Sequence, residues 1–280
     1  MKSSLCWIVL VLPVVVFAAS PTITVTPETI IQGDPLLVRI EGASIDDIKK
    51  FTYQGKTIPL FLYGGKPAVF LAAALEESSG SRALRLEMAD GRMFQKIVIV
   101  GSRPKLTAPL GIPQKLGGNT KASQTKLVSD LSKENAVLAG LVSTSTVLWN
   151  KRFSLPLSAT AVTDAYGYSR NTGSYSIAHK GADLRAATGT PVFAIGDGRV
   201  SLAREFIVYG KTVGIDHGSG VMSLSMHLSQ IAVKKGQKVT RGQTLGLSGE
   251  SGYALMPHLH LSIKIRGTSI DPMKFFALFK

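Results

Sequence analysis

All five histidines of the chain lie after residue 178, and two pairs of polar residues there have a spacing compatible with metal binding. His179 and Asp183 are four residues apart, which places both side chains on one face of either a strand or a helix. His258 and His260 are two residues apart, so on a strand they share a face. Two histidines and one carboxylate leave an open position on zinc, as catalytic sites require. The spacing therefore predicts a catalytic zinc site, but it does not decide which member of the 258/260 pair binds the metal.

Other zinc chemistries find little support in the sequence. The single cysteine, Cys6, lies in the first twenty residues, so neither a cysteine nucleophile nor a cysteine-bound zinc is expected. No His-Glu-x-x-His segment is present, which leaves histidine as the natural proton acceptor at neutral pH. His217 and Glu250 both lie in predicted turns, and we interpret them as structural residues.

The segments that must position these histidines are predominantly β. Short β-branched and aromatic runs separated by Gly, Asp and Pro predict a small β-sandwich over residues 21–101. Residues 102–152 form a predicted linker with helical spacing from Gln124 to Trp149, for which Ser123 is a candidate N-cap. Gly140 and the Ser/Thr run at 143–146 leave the far end of this helix open. Strand signals return over residues 153–280 without strand–helix alternation. We therefore expect a mainly all-β chain whose C-terminal domain is an antiparallel β structure.

Residues 1–20 have the pattern of a secretory signal peptide. Lys2 precedes an apolar run from Leu5 to Phe17, and the small residues Ala18, Ala19 and Ser20 follow it. The run is shorter than the roughly 20 residues that a membrane span needs. We expect an exported protein of the periplasm or cell envelope, without a transmembrane anchor after cleavage of the signal.

The charge of the chain is positive and unevenly distributed. The formal net charge is +14, and residues 101–280 contain 22 of the basic but only 9 of the acidic residues. Such an excess favours an anionic partner for the second half. Nucleic acid is disfavoured as a partner, because the sequence has no recognisable nucleic-acid-binding motif and carries a predicted export signal. The basic residues could attract anionic cell wall, or they could simply keep the surface solvated.

A set of short motifs surrounds the histidines in a characteristic order. Residues 179–272 resemble the catalytic domain of the lysostaphin/LytM-type zinc metalloendopeptidases, which cut peptide bonds in bacterial peptidoglycan. An upstream Tyr-Gly-x-x-Arg segment, residues 166–170, resembles the approach to the site in that family. The matching text is His179-Lys-Gly-Ala-Asp-Leu184, Gly189-Thr-Pro-Val-Phe-Ala194, Gly198-Arg-Val200, Ile215-Asp-His-Gly-Ser-Gly220, His227-Leu-Ser229, Val239-Thr-Arg-Gly-Gln-Thr-Leu-Gly246, Pro257-His-Leu-His260 and Asp271-Pro272.

The resemblance implies a role for each residue of the site. His179, Asp183 and His260 correspond to the ligands of one zinc ion per chain, and His227 and His258 correspond to the catalytic pair. Zinc in such a site polarises the scissile carbonyl and activates a water molecule. The implied activity is hydrolysis of peptide cross-links in peptidoglycan.

Departures from the family pattern alter the surroundings of the site but none of its five residues. They are Ser225, the loop Tyr253-Ala-Leu-Met256, Leu261 and Ser262. One alternative is a folded module that grips peptidoglycan or activates another hydrolase without cutting. Another is a latent enzyme in which residues 101–150 cover the zinc, either with an oxygen donor such as Asn119, Asp130 or Glu134 as an occluding ligand or by steric cover alone.

Overall fold

A computed structural model describes residues 20–173 and 175–279. The predicted signal peptide lies almost entirely outside these ranges. Within them, no helix combines the length and apolar character that crossing a bilayer requires. The predicted fold class is confirmed, because strands dominate the described chain and helices are few.

The N-terminal part consists of two β-sheets packed face to face. One sheet has the strand order β1-β3-β7-β6 and the other β2-β9-β8-β4-β5. All neighbours are antiparallel except β2 and β9. The strands are β1 (Thr22–Thr26), β2 (Thr29–Ile31), β3 (Pro35–Glu41), β4 (Ile48–Tyr53), β5 (Lys56–Thr57), β6 (Phe61–Tyr63), β7 (Lys66–Ala72), β8 (Gly80–Met88) and β9 (Met93–Gly101).

Strand β7 is buried on both faces, and the two faces belong to different cores. Val69 and Leu71 point into the core between the two N-terminal sheets. Ala68 and Phe70 alternate with them and face the C-terminal half. A nearly uninterrupted apolar strand is the expected consequence of burial on both sides. The first sheet is therefore the middle layer between the sandwich core and the C-terminal half.

The segment that joins the two parts contains one strand and one long helix. Strand β10 (Thr107–Pro109) runs parallel to the first strand of a hairpin in the C-terminal half. Helix α1 (Lys121–Ala139) begins after Thr120, whose hydroxyl oxygen accepts a hydrogen bond from the Ser123 amide, and Gly140 follows its last residue. The predicted Ser123 cap was wrong, because Thr120 satisfies a free amide at the helix start. The helix ends at the Gly140 signal, and Ser143 of the following Ser/Thr run donates a hydrogen bond to the Asp216 carboxylate.

The C-terminal half is built on an eight-stranded sheet of order β11-β14-β22-β18-β17-β16-β20, with β23 paired to β22. A second sheet has the order β15-β21-β19, and β12 and β13 form the hairpin that β10 joins. The elements are β11 (Val162–Asp164), β12 (Ser169–Thr172), β13 (Tyr175–Ala178), β14 (Ala182–Arg185), β15 (Pro191–Phe193), β16 (Gly198–Glu205), β17 (Lys211–Gly218), β18 (Val221–Leu228), β19 (Gln230–Ile231), β20 (Lys238–Val239), β21 (Thr244–Leu247), β22 (His258–Ile265), β23 (Thr268–Ile270) and the short helix α2 (Pro272–Ala277).

Three adjacent strands of the large sheet bring the distant histidines together. Strand β22 lies between β14 and β18, and both of its neighbours run antiparallel to it. In this register Asp183 stands opposite His260 on one side, and Met226 stands opposite His260 on the other. Residues far apart in the chain thus meet because the strands that carry them are neighbours in the sheet.

A half-buried arginine connects the N-terminal part to the end of the C-terminal half. The Arg103 guanidinium lies 2.6 Å from Asp34 Oδ1 and 3.5 Å from Asp271 Oδ2. It also lies over the Tyr166 ring, 5.2 Å from its centroid. The Tyr166 hydroxyl in turn donates a hydrogen bond to the Ser269 carbonyl. These contacts fasten the loop that precedes β12, which leads into the candidate site.

Candidate metal centre

Three side-chain atoms converge at the edge where β14 and β22 meet. His179 Nε2 lies 3.0 Å from Asp183 Oδ1 and 3.1 Å from His260 Nδ1, and the last two atoms are 2.7 Å apart. All three residues are buried. Within the described ranges, this is the group of His and carboxylate side chains whose donor atoms lie close enough to hold a metal ion. The spacing of His260 places its side chain on the same face of β22 as His258.

The hydrogen bond made by the other nitrogen of His179 is compatible with a role as a metal ligand. His179 Nδ1 lies 2.8 Å from the Ala165 carbonyl oxygen, which can only accept, so Nδ1 carries the proton. In the neutral imidazole, Nε2 then directs a lone pair toward the Asp183 carboxylate. Lone pairs and a negative charge that face one another require a proton or a metal ion between them. A ligand histidine whose second nitrogen is bonded to a backbone carbonyl is the usual arrangement at metal sites.

Burial and hydrogen bonding act in opposite directions on the acidic and basic members of the group. Burial by itself would raise the pKa of Asp183, but its close contacts with His179 Nε2 and His260 Nδ1 outweigh burial and hold that pKa far below its usual value. Burial lowers the pKa of His260, and the adjacent carboxylate opposes this effect. Both shifts favour an ionised carboxylate beside neutral imidazole, which is the state that binds a metal ion.

The contact between His179 and Asp183 depends on an irregular segment. The sequence predicted that a strand or a helix would align the two residues, but residues 179–181 belong to neither, and β14 begins at Ala182. Gly181 allows the close approach: a Cβ atom there would stand 2.4 Å from His260 Nε2 and 2.6 Å from the Leu261 carbonyl oxygen. A side chain at this position is therefore excluded by the packing of the site itself.

His227 and His258 lie beside the three donors. The centroids of their rings are 4.8 Å apart, and His258 Nε2 is 3.7 Å from Asp183 Oδ1. His227 has a positive φ of 61°, which is uncommon outside glycine, at the point where the register between β17 and β18 shifts. The bulge redirects this side chain toward β22. Strain of this kind persists only where the surrounding structure enforces it.

Each of these two rings is held by a backbone carbonyl. His227 Nδ1 lies 2.8 Å from the Ser251 carbonyl oxygen, and His258 Nδ1 lies 2.8 Å from that of Met256. Both Nδ1 atoms must therefore donate, which leaves both Nε2 atoms as acceptors in the neutral rings. Burial, together with the neighbouring histidines, lowers the pKa of His227 to about 3. His227 is therefore neutral at pH 7, and its Nε2 is unprotonated.

A cavity of about 1250 Å³ opens over these five side chains. Its floor is the sheet face that carries the histidines. Helix α1 forms the opposite wall with Leu127, Leu131 and Leu138, and the N-terminal part contributes Glu76 at the rim. Glu76 forms a 2.6 Å ion pair with Lys180, the neighbour of His179. The N-terminal part, the joining segment and the C-terminal half therefore all contribute to the groove.

The remaining residues of the sequence analysis lie outside this group. His217 is fully buried, with Nδ1 2.8 Å from the Asp197 carbonyl oxygen and Nε2 2.8 Å from the Ser223 hydroxyl, as a structural residue would be. Glu250 is exposed. Of the departures from the family pattern, Ser225, Leu261 and Ser262 are buried in the sheet, whereas Met256 is 72% exposed at the groove. The unusual loop before Pro257 therefore shapes the groove.

The oxygen donors that were considered as occluding ligands have other partners. Asn119 Oδ1 accepts a hydrogen bond from the Ile112 amide, and Asp130 pairs with Lys126. Both oxygens of Glu134 accept hydrogen bonds from the backbone amides of residues 207–209, at 2.6–3.0 Å. The structure thus contradicts an occluding ligand from these residues. Glu134 instead ties helix α1 to the loop between β16 and β17.

Sequence reasoning missed Asp164 and gave Arg170 no role. Arg170 Nη2 contacts both Asp164 Oδ2 and Asp183 Oδ2. Arg170 is the last residue of the Tyr-Gly-x-x-Arg segment, and this motif was the sequence signal that could have identified it. No sequence signal pointed to Asp164, because Asp164 comes to lie opposite Asp183 only through the pairing of β11 with β14.

Comparison with known proteins agrees with this geometry. The profile of Peptidase family M23 matches residues 177–272, which include all five residues of the site. Residues 177–272 therefore form a domain of peptidase family M23. Over 96 residues this M23 domain is 47% identical to the peptidoglycan DD-endopeptidase ShyA of Vibrio cholerae, a match that covers 34% of this chain and 22% of ShyA. It is 39% identical over 98 residues to ShyB of the same organism, covering 35% of this chain and 23% of ShyB.

The similarity to these curated relatives is confined to the M23 domain, since the chain spans less than a quarter of their length. A solved structure from Pseudomonas aeruginosa, described as an M23 peptidase, extends further. It aligns with 89% of this chain and 96% of its own length, with a TM-score of 0.58 and 27% sequence identity. The structural similarity therefore extends beyond the M23 domain to the parts of the chain that precede it.

Proposed function

We propose that this chain is an exported zinc metalloendopeptidase that hydrolyses peptide cross-links of bacterial peptidoglycan. The observation that carries the proposal is the convergence of His179 Nε2, Asp183 Oδ1 and His260 Nδ1 beside two further histidines in one open groove. The family of the domain supports peptidase activity, and the printed names of ShyA and ShyB support peptidoglycan as the substrate. The predicted signal peptide and the basic second half support export and an anionic polymer.

The donor set fits zinc. Two imidazole nitrogens and one carboxylate oxygen are a common catalytic zinc set, and they leave a position for water or substrate. When bound, zinc would polarise the scissile carbonyl and activate a water molecule. His179, Asp183 and His260 would hold the ion, at one zinc per chain.

The chain's own catalytic work falls to His227 and His258. Their Nδ1 atoms are hydrogen-bonded to backbone carbonyls, so in each neutral ring Nε2 is the nitrogen that can accept a proton. One ring can take the proton that leaves the attacking water, and the protonated ring can stabilise the developing oxyanion or return a proton to the leaving amine. Because both rings are anchored by backbone, they are held in position before the substrate arrives.

Zinc content and muropeptide release, measured on protein without residues 1–20, test the proposal. We expect near one zinc per chain and new uncross-linked muropeptides from purified peptidoglycan. Both should disappear in His260→Ala and persist in Glu250→Gln, which alters an exposed carboxylate of a neighbouring loop. Removing the metal with a chelator should abolish release, and zinc should restore it.

The possible outcomes separate the competing functions. Protein that contains no zinc would overturn the metal site and the mechanism built on it. Bound zinc without cleavage would favour a module that grips peptidoglycan or activates another hydrolase. Cleavage that survives in His260→Ala would show that the activity lies elsewhere in the chain.

A further inference from the structure

Asp164 and Asp183 stand directly opposite each other on the paired strands β11 and β14. Two carboxylates in this position repel each other and destabilise the pairing. Both are mostly shielded from water, with 21% and 9% of their side chains exposed. Shielding from solvent strengthens the repulsion, because water can no longer screen the two charges. The pair therefore requires a cation between them.

Arg170 provides that cation from strand β12. Its Nη2 atom contacts Asp164 Oδ2 and lies 2.5 Å from Asp183 Oδ2. Strand β12 is fixed on both sides by pairing with β10 and β13. The guanidinium thus reaches the carboxylates from a well-supported strand, and Asp164 holds it in place from the side opposite Asp183.

The two oxygens of Asp183 consequently have different partners. Oδ2 is engaged by Arg170, whereas Oδ1 faces His179 Nε2 and His260 Nδ1. A carboxylate held in this way can offer a metal ion one oxygen but not both. Charge balance also follows, since one arginine between two aspartates leaves a single negative charge at the centre.

We propose that Arg170 is a positioning residue that, with Asp164 as its anchor, holds Asp183 as a one-oxygen ligand of the metal ion. This inference rests on the proposed metal site and adds the residues that orient its carboxylate. Arg170 acts through Asp183 and has no assigned contact with substrate.

The direction in which zinc affinity changes when Arg170 is replaced distinguishes two roles for this residue, that of orienting Asp183 and that of a nearby positive charge. If Arg170 were only a nearby positive charge, its removal would tighten the binding of a divalent cation. If it orients Asp183, its removal should weaken binding, because partners that orient a ligand typically contribute about 10–100-fold in affinity. We expect Arg170→Met to raise the Kd for zinc about tenfold or more, and Arg170→Lys to fall between the two proteins.

The test is competition between a chromogenic chelator and the metal-free protein for zinc, repeated for each variant. Asp164→Asn removes the anchor and keeps the arginine, so it should weaken binding in the same direction. Arg204→Met is the matched control, since the Arg204 guanidinium lies over the Phe206 ring and away from the groove. Circular dichroism of the metal-free proteins verifies that each variant is folded.

Cobalt substitution gives a second readout that is independent of activity. Freed from Arg170, Asp183 can offer both oxygens, and the visible absorption of bound Co²⁺ should weaken as the coordination number rises. Zinc affinity and a cobalt spectrum that are unchanged in Arg170→Met and Asp164→Asn, or zinc binding that tightens, would overturn this inference alone. Absence of zinc binding by the unaltered protein would overturn the proposed function together with it.

Discussion

The imidazole rings of His227 and His258 lie 4.8 Å apart, centroid to centroid. His227 lies near the end of the bulged strand β18, and His258 is the first residue of the neighbouring strand β22. His227 reaches this place with a positive φ of 61°. Both rings are fixed through Nδ1 to backbone carbonyls. Both rings are thus held in position beside three donors that can hold a metal ion.

Replacing either ring should remove catalysis without removing the metal. We expect His227→Ala and His258→Ala each to lower kcat by about 10²–10⁴-fold, the usual contribution of general acid–base catalysis, with near one zinc per chain retained. Muropeptide release and zinc content, measured on the same preparations, check this. Zinc loss in both variants would instead assign the pair to metal binding.

Gly181 has a purely steric role in the site. In Gly181→Ala the added methyl group would stand 2.4 Å from His260 Nε2, so the imidazole must move and the three donors can no longer converge. We expect at least a tenfold loss of zinc affinity. Gly140→Ala is the control, since its new Cβ would meet its nearest neighbour at 3.5 Å. Equal zinc affinity in both variants would contradict this role.

The N-terminal sandwich and the M23 domain should unfold together. Phe70 from β7 is fully buried and packs against Trp149, Phe275 and Phe279, at centroid distances of 5.7–6.0 Å. We expect Phe70→Ala to lower the free energy of unfolding by about 3–5 kcal/mol. The fluorescence of Trp149 and the far-ultraviolet circular dichroism should report a single transition in urea. Two separated transitions would show that the parts are independent.

Stability should decrease as the pH falls below about 6.5, in part because of His217. Burial lowers its pKa to about 4 in the folded chain, while the unfolded chain keeps the ordinary value of 6.5. Below pH 6.5 the unfolded state therefore binds more protons, and folding loses roughly 2 kcal/mol from this residue between pH 7 and pH 5. Asp197, Asp216 and Ser223 surround the ring and do not reverse the shift.

Urea denaturation at pH 7 and pH 5 measures this effect. In His217→Gln the loss of stability between the two pH values should be smaller than in the unaltered chain by about that amount. The comparison concerns the change with pH, so a general destabilisation by the substitution does not affect it. The same loss in both proteins would show that other groups cause the pH dependence.

The sequence by itself determined the class of the fold and the family of the second half. Alternating β-branched residues and Gly-rich turns have a local physical meaning, because a period of two places one face of a strand in the core. The spacing of His258 and His260 placed both on one face of a strand for the same reason. The predicted domain boundaries, the signal peptide and the catalytic roles remain predictions.

Only the tertiary structure decided how the site is held. His179 meets Asp183 through an irregular segment that no periodicity predicts, and the positive φ of His227 comes from a shift in strand register. Asp164 faces Asp183 because β11 pairs with β14, and helix α1 lines the groove because Glu134 binds the loop of residues 207–209. These contacts join residues distant in sequence, so their energy depends on the packing of whole elements, which local residue patterns do not encode.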